Sequence, residues 1–210
     1  MIKCMEYITA SCVIEKHTVY KNGELVYTSG GLGATDFLGS VYGHFDLQYP
    51  KFYKMDNLSK LGWLAAELLV QDSSGLADYP REEIAVVLSN SNSSVDTDFK
   101  YKVTTNDLPS PSLFVYTLPN IMIGEICIRH NFKGENAFFL CESFDPELIA
   151  RYAGLLLDQG IARVCVAGWV ELLGDEYKAA LFLIGKEPAG ALVFSAENMN
   201  NIFEHSILRS

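Results

Sequence analysis

From residue 55 onward the apolar positions fall into a helical rhythm. Leu58, Leu61, Leu64, Ala65, Leu68 and Leu69 recur at spacings of three and four and predict one amphipathic helix. Asp56 or Asn57 can cap its start, and Gly75 stands just past its end. Trp63 is the large residue off this stripe, and core packing is its expected role rather than ligand stacking. The rhythm then changes. Ile84-Ala85-Val86-Val87-Leu88 is an unbroken apolar run of strand length, the pattern of a strand buried on both faces. Residues 89–98 are rich in Ser, Asn and Asp and read as a loop. Pro109-Ser110-Pro111 and Pro119-Asn120 bracket a short apolar piece at 113–118. Asn120 is a candidate N-cap for a helix running to about His130.

A second unit follows Lys133-Gly134-Glu135-Asn136. An apolar run at 137–141 leads into the polar turn Glu142-Ser143-Phe144-Asp145-Pro146. A helical pattern covers 147–159 and a buried strand covers 163–168. Strand, turn, helix and strand make a βαβ unit, and such a turn is where α/β enzymes often place a nucleophile. Towards the N-terminus, residues 6–14 and 24–28 read as strands around the turn Lys21-Asn22-Gly23-Glu24. Gly30-Gly31-Leu32-Gly33, running on to Gly39 and Gly43, reads as a flexible surface loop, because no phosphate-binding signature accompanies the glycines. Residues 178–184 and 191–195 predict a last hairpin through Lys186-Glu187-Pro188-Ala189-Gly190. Alternating helices and buried strands predict an α/β fold in layers, as one domain over residues 1–210.

Charge and cysteines narrow the function classes. The net charge of −10 argues against nucleic acid, which needs a basic face, and weakly against anionic membranes. No apolar run approaches the ~18 residues of a bilayer span. No signal-peptide pattern opens the sequence, so a cytoplasmic protein is expected. The five cysteines, Cys4, Cys12, Cys127, Cys141 and Cys165, are scattered and form no CxxC pair. They read as reduced thiols used as small hydrophobes, not as a disulfide framework or zinc site. His17, His44, His130 and His205 do not cluster, and neither a metal nor a cofactor is implied.

Several segments, in order, resemble the N-terminal half of a β-ketoacyl synthase, a condensing enzyme of the thiolase-like superfamily. Met55-Asp56-Asn57-Leu58-Ser59 with Ala65-Ala66-Glu67 resembles that family's first long helix. Ile84 to Asn90 resembles its next strand and Gly/Ser loop. Leu118-Pro119-Asn120 to Ile128-Arg129, then Lys133-Gly134, is similar to its "PN…G.ISI….KG" segment, the most specific match. Val166-Ala167-Gly168 resembles the "AGG" strand behind the nucleophile helix. The similarity covers about residues 55–170 and implies a thiolase-like half-fold, a layered mixed sheet flanked by helices.

The resemblance also implies where a nucleophile should stand. In an active condensing enzyme a cysteine sits between the strand after "KG" and the following helix. Counting without gaps from Lys133-Gly134 forward, or from Val166-Ala167-Gly168 backward, gives Ser143. The nearest thiol, Cys141, is two residues earlier, a shift of ~6–7 Å along a strand that a nucleophile does not tolerate. A serine needs an adjacent base, and the neighbouring sequence supplies none. Asp145-Pro146-Glu147 instead has the form of a helix start: Asp at N-cap, Pro at N1, acid in the first turn.

A complete condensing enzyme is about twice this length, and its second half carries the decarboxylation residues. His130 and His205 lie in the wrong segments to replace them, and His130 is expected at a solvated helix end. The resemblance therefore implies a non-catalytic homologue, a partner subunit in fatty-acid, polyketide or aryl-polyene-type biosynthesis. It would pair through the strand at 136–141, as a homodimer or with a full-length ketosynthase. The alternative is an acyltransferase or condensing enzyme acting on acyl-carrier thioesters through Ser143 or Cys141, with a partner completing the site. Basic patches that could receive an acidic acyl carrier protein are small: Lys51, Lys54 and Lys60, and Arg129 with Lys133.

Overall fold

A computed structural model describes residues 5–31, 33–71, 73, 75–186 and 192–204. Among the described residues eight strands form one mixed sheet: β1 Tyr7–Glu15, β2 Thr18–Lys21, β3 Glu24–Thr28, β4 Ile84–Asn90, β5 Asn136–Leu140, β6 Val164–Leu173, β7 Glu176–Gly185 and β8 Leu192–Val193. The order is β3-β2-β1-β7-β6-β4-β5, with β8 on β1. β4 runs parallel to both β5 and β6, and every other pairing is antiparallel.

Helices cover both faces. α1 Ala34–His44, α2 Asn57–Gln71 and α5 Ile121–His130 lie on one face, and α6 Pro146–Asp158 and α7 Ala196–Phe203 on the other. The alternation along β4 shows why its sequence is an unbroken apolar run. Ile84, Val86 and Leu88 face the core under α2, while Ala85 and Val87 face Ile149, Ala153 and Leu157 of α6. A strand with no wet face keeps no polar alternation. The layers are therefore helix, sheet, helix, as the sequence predicts.

Two glycines mark close approaches. Gly134 carries the chain across β4, where a Cβ would meet the Ile84 and Glu82 carbonyl oxygens at 2.5 and 2.9 Å. Lys133 donates its amide to the Arg81 carbonyl at 2.8 Å in the same crossing. Gly168, with φ +153°, lies where a Cβ would collide with the Ala180 carbonyl of β7.

Several sequence expectations are corrected. The glycine-rich stretch is no loop beyond Gly33. Ala34, Phe37, Leu38, Val41 and Tyr42 bury one face of α1, so its glycines sit within an amphipathic helix. Residues 89–98 divide into the end of β4, a short turn and the start of α3 Val95–Thr104. That helix buries only Thr97, so it leaves no apolar stripe to read. The N-terminal strands are three, because a turn at Lys16-His17 splits off β2. The last two strands are not paired with each other. β8 pairs Tyr7 and Ile8 of β1, and residues 187–190 of the expected link and residue 191 of the expected strand lie outside the described residues. α4 Pro111–Val115 and α7 were not predicted. No described helix is long and apolar enough to cross a membrane.

Candidate functional site

The turn at 141–146 is built from the sheet outward. β5 pairs with β4 from Val86↔Asn136 to Asn90↔Leu140, and Cys141 extends the ladder by donating its amide to the Asn90 carbonyl at 2.9 Å. The chain then leaves the sheet and α6 begins at Pro146. Asp145 caps it, accepting the Leu148 amide at 2.9 Å. α6 returns the chain to β6, parallel to β4 on its other side. The strand, turn, helix and strand expected from sequence are therefore present, with β4 between the two strands.

Ser143 is exposed at the crest of this turn and Cys141 is half-buried at its foot. Burial, and secondarily the Asp145 carboxylate, push the Cys141 thiol above its ordinary value. A thiolate there is disfavoured, the reverse of what an acyl acceptor needs. Phe144 turns inward. It stacks on Phe203 at 4.5 Å and Phe182 at 6.2 Å, and meets Trp169 edge-on at 6.3 Å. The shallow concavity at the turn is lined by residues 141–146 alone. Among the described residues no side chain from another element lines it to serve as base or oxyanion donor. The helix terminus itself is engaged: Pro146 brings no N–H, and Asp145 holds the Leu148 amide.

Beside the turn, at the ends of β4 and β6, the polar loop is closed on itself. Glu171 accepts the Ser91 amide and hydroxyl at 2.7 Å each and the Asn92 amide at 3.1 Å. Asn90, fully buried, bonds the Ser93 carbonyl and amide at 2.8 and 3.0 Å. Sequence reasoning missed Glu171, since nothing near it in sequence shows that β6 ends beside the Ser91 turn.

His130 is not at a solvated helix end. Its side chain is 12% exposed, stacks on Phe132 at 5.2 Å, and lies 3.3 Å from Glu67. Burial lowers its pKa below the ordinary value, the Glu67 carboxylate opposes that, and Arg129 and Arg81 add to it. Glu67 is held by Arg129 through Nε at 2.9 Å and Nη2 at 2.6 Å. The group belongs to α2 and α5, away from the turn. Trp63 is in the core as expected, fully buried and stacked on Tyr49 at 5.2 Å. His205 and Cys4 lie outside the described residues.

Three of the five residues of the candidate basic patches lie near carboxylates. Lys51 pairs with the buried Glu125 at 2.8 Å, Lys133 lies 3.8 Å from Glu82, and Arg129 is committed to Glu67. Among the described residues no three His, Cys, Asp or Glu side chains meet so as to hold a metal, and the four described cysteines are free thiols.

No protein-family model and no curated protein matches the sequence. Solved structures do match, and they show the fold. The chain has the thiolase-like fold of β-ketoacyl synthases and chain length factors. One is the ishigamide ketosynthase/chain length factor, 18% identical over 89% of this chain and 63% of that one, with a TM-score of 0.62. Another is a β-ketoacyl synthase from Burkholderia phymatum STM815, 13% identical over 90% and 62%, with a TM-score of 0.61. A third is from the ketosynthase ApeO in complex with its chain length factor ApeC from Xenorhabdus doucetiae, 14% identical over 87% and 79%, with a TM-score of 0.54. The chain thus spans about 63% of the length of the first.

Proposed function

We propose that the chain is a non-catalytic partner subunit, a ketosynthase-like scaffold that pairs with a second subunit of the same fold. Its setting would be the building of fatty-acid, polyketide or aryl-polyene-type chains. The observation that carries the reading is the outer edge of β5. Glu135 and Cys141 direct their main-chain groups to β4, so by alternation those of Asn136, Phe138 and Leu140 point away from the sheet. β5 is the last strand, and Leu140 is 62% exposed upon it. Such an edge is a template for another strand.

The apolar surface gathers in the same part of the chain. Of the sixteen large exposed apolar side chains among the described residues, eight lie between Phe99 and Leu140. Five of these, Phe99, Val103, Leu108, Phe114 and Val115, stand on the α3–α4 arm, which the Ser94 hydroxyl closes at its base on the Thr117 carbonyl at 2.6 Å. Exposed apolar side chains gathered on one arm favour an interaction face there. The neighbours named as ketosynthase and chain length factor pairs support the same reading. Within it the closed turn around Ser143 keeps the fold's shape without its chemistry, and the commitment of Lys51 to Glu125 and of Arg129 to Glu67 favours leaving an acyl carrier protein to the partner.

Size-exclusion chromatography with light scattering tests the pairing. The chain is expected to run as a dimer, and Leu140→Pro, which removes one outward N–H from β5, is expected to yield monomer. A strict monomer for the unaltered chain, alone and with a full-length ketosynthase, would contradict it.

A further inference from the structure

Residues 95–115, which carry α3 and α4, are fastened to the rest of the molecule at two roots. At the first, Asn90 donates its Nδ2 to the Ser93 carbonyl at 2.8 Å and accepts the Ser93 amide on Oδ1 at 3.0 Å. Ser93 itself takes a left-handed φ of +52°. At the second, Tyr116 is buried in the main core and donates its hydroxyl to Glu125 at 3.1 Å. The Ser94 hydroxyl joins the two roots through the Thr117 carbonyl. Between the roots α3 and α4 hold together as one piece. Tyr101 meets Phe114 at 5.4 Å, and the Ser110 amide donates to the Thr104 hydroxyl at 3.1 Å.

That piece is held down by polar contacts. The one buried side chain of residues 95–115 is Thr97, whose hydroxyl donates to Asp56 Oδ2 at 2.6 Å. At the rim Asp96 accepts the Gly174 amide at 3.1 Å and pairs with Lys100. The large apolar side chains Phe99, Val103, Phe114 and Val115 are exposed. A helix pair that buries no apolar side chain belongs to the low-stability end of a structure, where local opening is easiest. Asp56 is also built to survive the loss of Thr97. Its Oδ1 accepts the Ser59 amide at 2.9 Å, and Lys60 of α2 stands near it, as Lys100 of α3 does. Lifting α3 takes Thr97 and Lys100 away and leaves the carboxylate with Ser59 and Lys60. It therefore keeps a donor, and the large cost of an orphaned buried acceptor does not arise.

We propose that residues 95–115 form a flap, hinged at Ser93–Ser94 and Tyr116–Thr117 and latched shut by the Thr97–Asp56 bond. Opening breaks that bond and the Asp96–Gly174 contact, and water replaces both. The outward apolar face moves with the flap as one piece, so a partner that binds the shut form shifts the balance towards it. The flap does not rest on the partner-subunit reading; only this coupling does.

Hydrogen exchange of the full chain, read by mass spectrometry, tests it. In the unaltered protein the α3 amides are expected to exchange far faster than those of β4 and α2, which keeps the test independent of how any variant folds. Thr97→Val keeps the shape and removes the hydroxyl. It is expected to speed exchange across 95–115 roughly tenfold, the loss of one hydrogen bond to a charged group, and to leave β4 and β6 unchanged. Thr97→Ser, which keeps the hydroxyl, is expected to exchange like the unaltered chain. Protection of α3 equal to that of β4, or a Thr97→Val effect spread evenly over α3, β4 and β6, would overturn the flap. These rates in a chain that stays monomeric by light scattering would uphold the flap and defeat the pairing reading.

Discussion

Asp145 accepts the Leu148 amide at 2.9 Å, and thereby occupies the helix terminus that a nucleophile at Ser143 would need. In a thiol- or serine-based acyl transferase the first-turn amides of the following helix stabilise negative charge on the attacking atom or the oxyanion. Here the terminus already holds a carboxylate. Asp145→Ala is expected to cost about 1 kcal/mol in urea denaturation, and Asp145→Asn less, as for other N-caps. Ser143→Cys is expected to give an ordinary thiol, with an iodoacetamide rate that climbs only at alkaline pH. A neutral-pH burst of alkylation would show a terminus still able to lower a pKa.

The native thiols order by burial. Cys12 and Cys165 are fully buried and pushed up to about 12, Cys127 to about 11, and Cys141 is raised less and is partly exposed. Mass spectrometry after brief alkylation of folded protein at pH 8 is expected to find Cys141 modified slowly and Cys12 and Cys165 untouched. Modification of Cys141 faster than a free thiol would mark it as activated.

The glycine of the Lys133-Gly134 pair has a structural task. A Cβ at Gly134 would meet backbone oxygens of Ile84 and Glu82, which cannot move aside without disturbing β4. Gly134→Ala is expected to lower stability by roughly 1–3 kcal/mol. An unchanged denaturation midpoint would show that the crossing tolerates displacement.

His130 sets a pH dependence. Its pKa is depressed below 6.5 chiefly by burial, so the unfolded chain takes up a proton before the folded one does. The stabilisation is complete above pH 6.5 and is lost as pH falls through the folded value, so the unfolding free energy should decline with acid in that window. His130→Gln is expected to flatten that decline. A decline of equal slope in the variant would assign it elsewhere.

The parts of the fold that were legible in sequence are those buried on a fixed period. The leucine stripe of α2, the doubly buried β4 and the unit from β5 through α6 to β6 all follow from which residues must leave water. The Asp145-Pro146-Glu147 cap was legible because capping is local chemistry. What escaped has tertiary causes. α1 hid behind its glycines because Gly39 and Gly43 lie off the buried Phe37–Val41 face. α3 buries only Thr97, so no periodicity betrays it. β8 joins β1 rather than β7, a choice made by sheet order and invisible to local pattern. At the candidate site, position along the sequence is enough to put Ser143 and Cys141 on the turn after β5. The inward stack of Phe144 on Phe203 joins residues far apart in the chain, and no local signal announces it.

The Ser143 turn joins strand to helix as a nucleophile turn does, and the proposed function gives it no acyl chemistry. Incubation with an acyl-carrier thioester followed by intact-mass measurement tests it most directly. A mass unchanged from the free protein at all times is expected. A covalent acyl adduct that disappears in Ser143→Ala or in Cys141→Ala would contradict it.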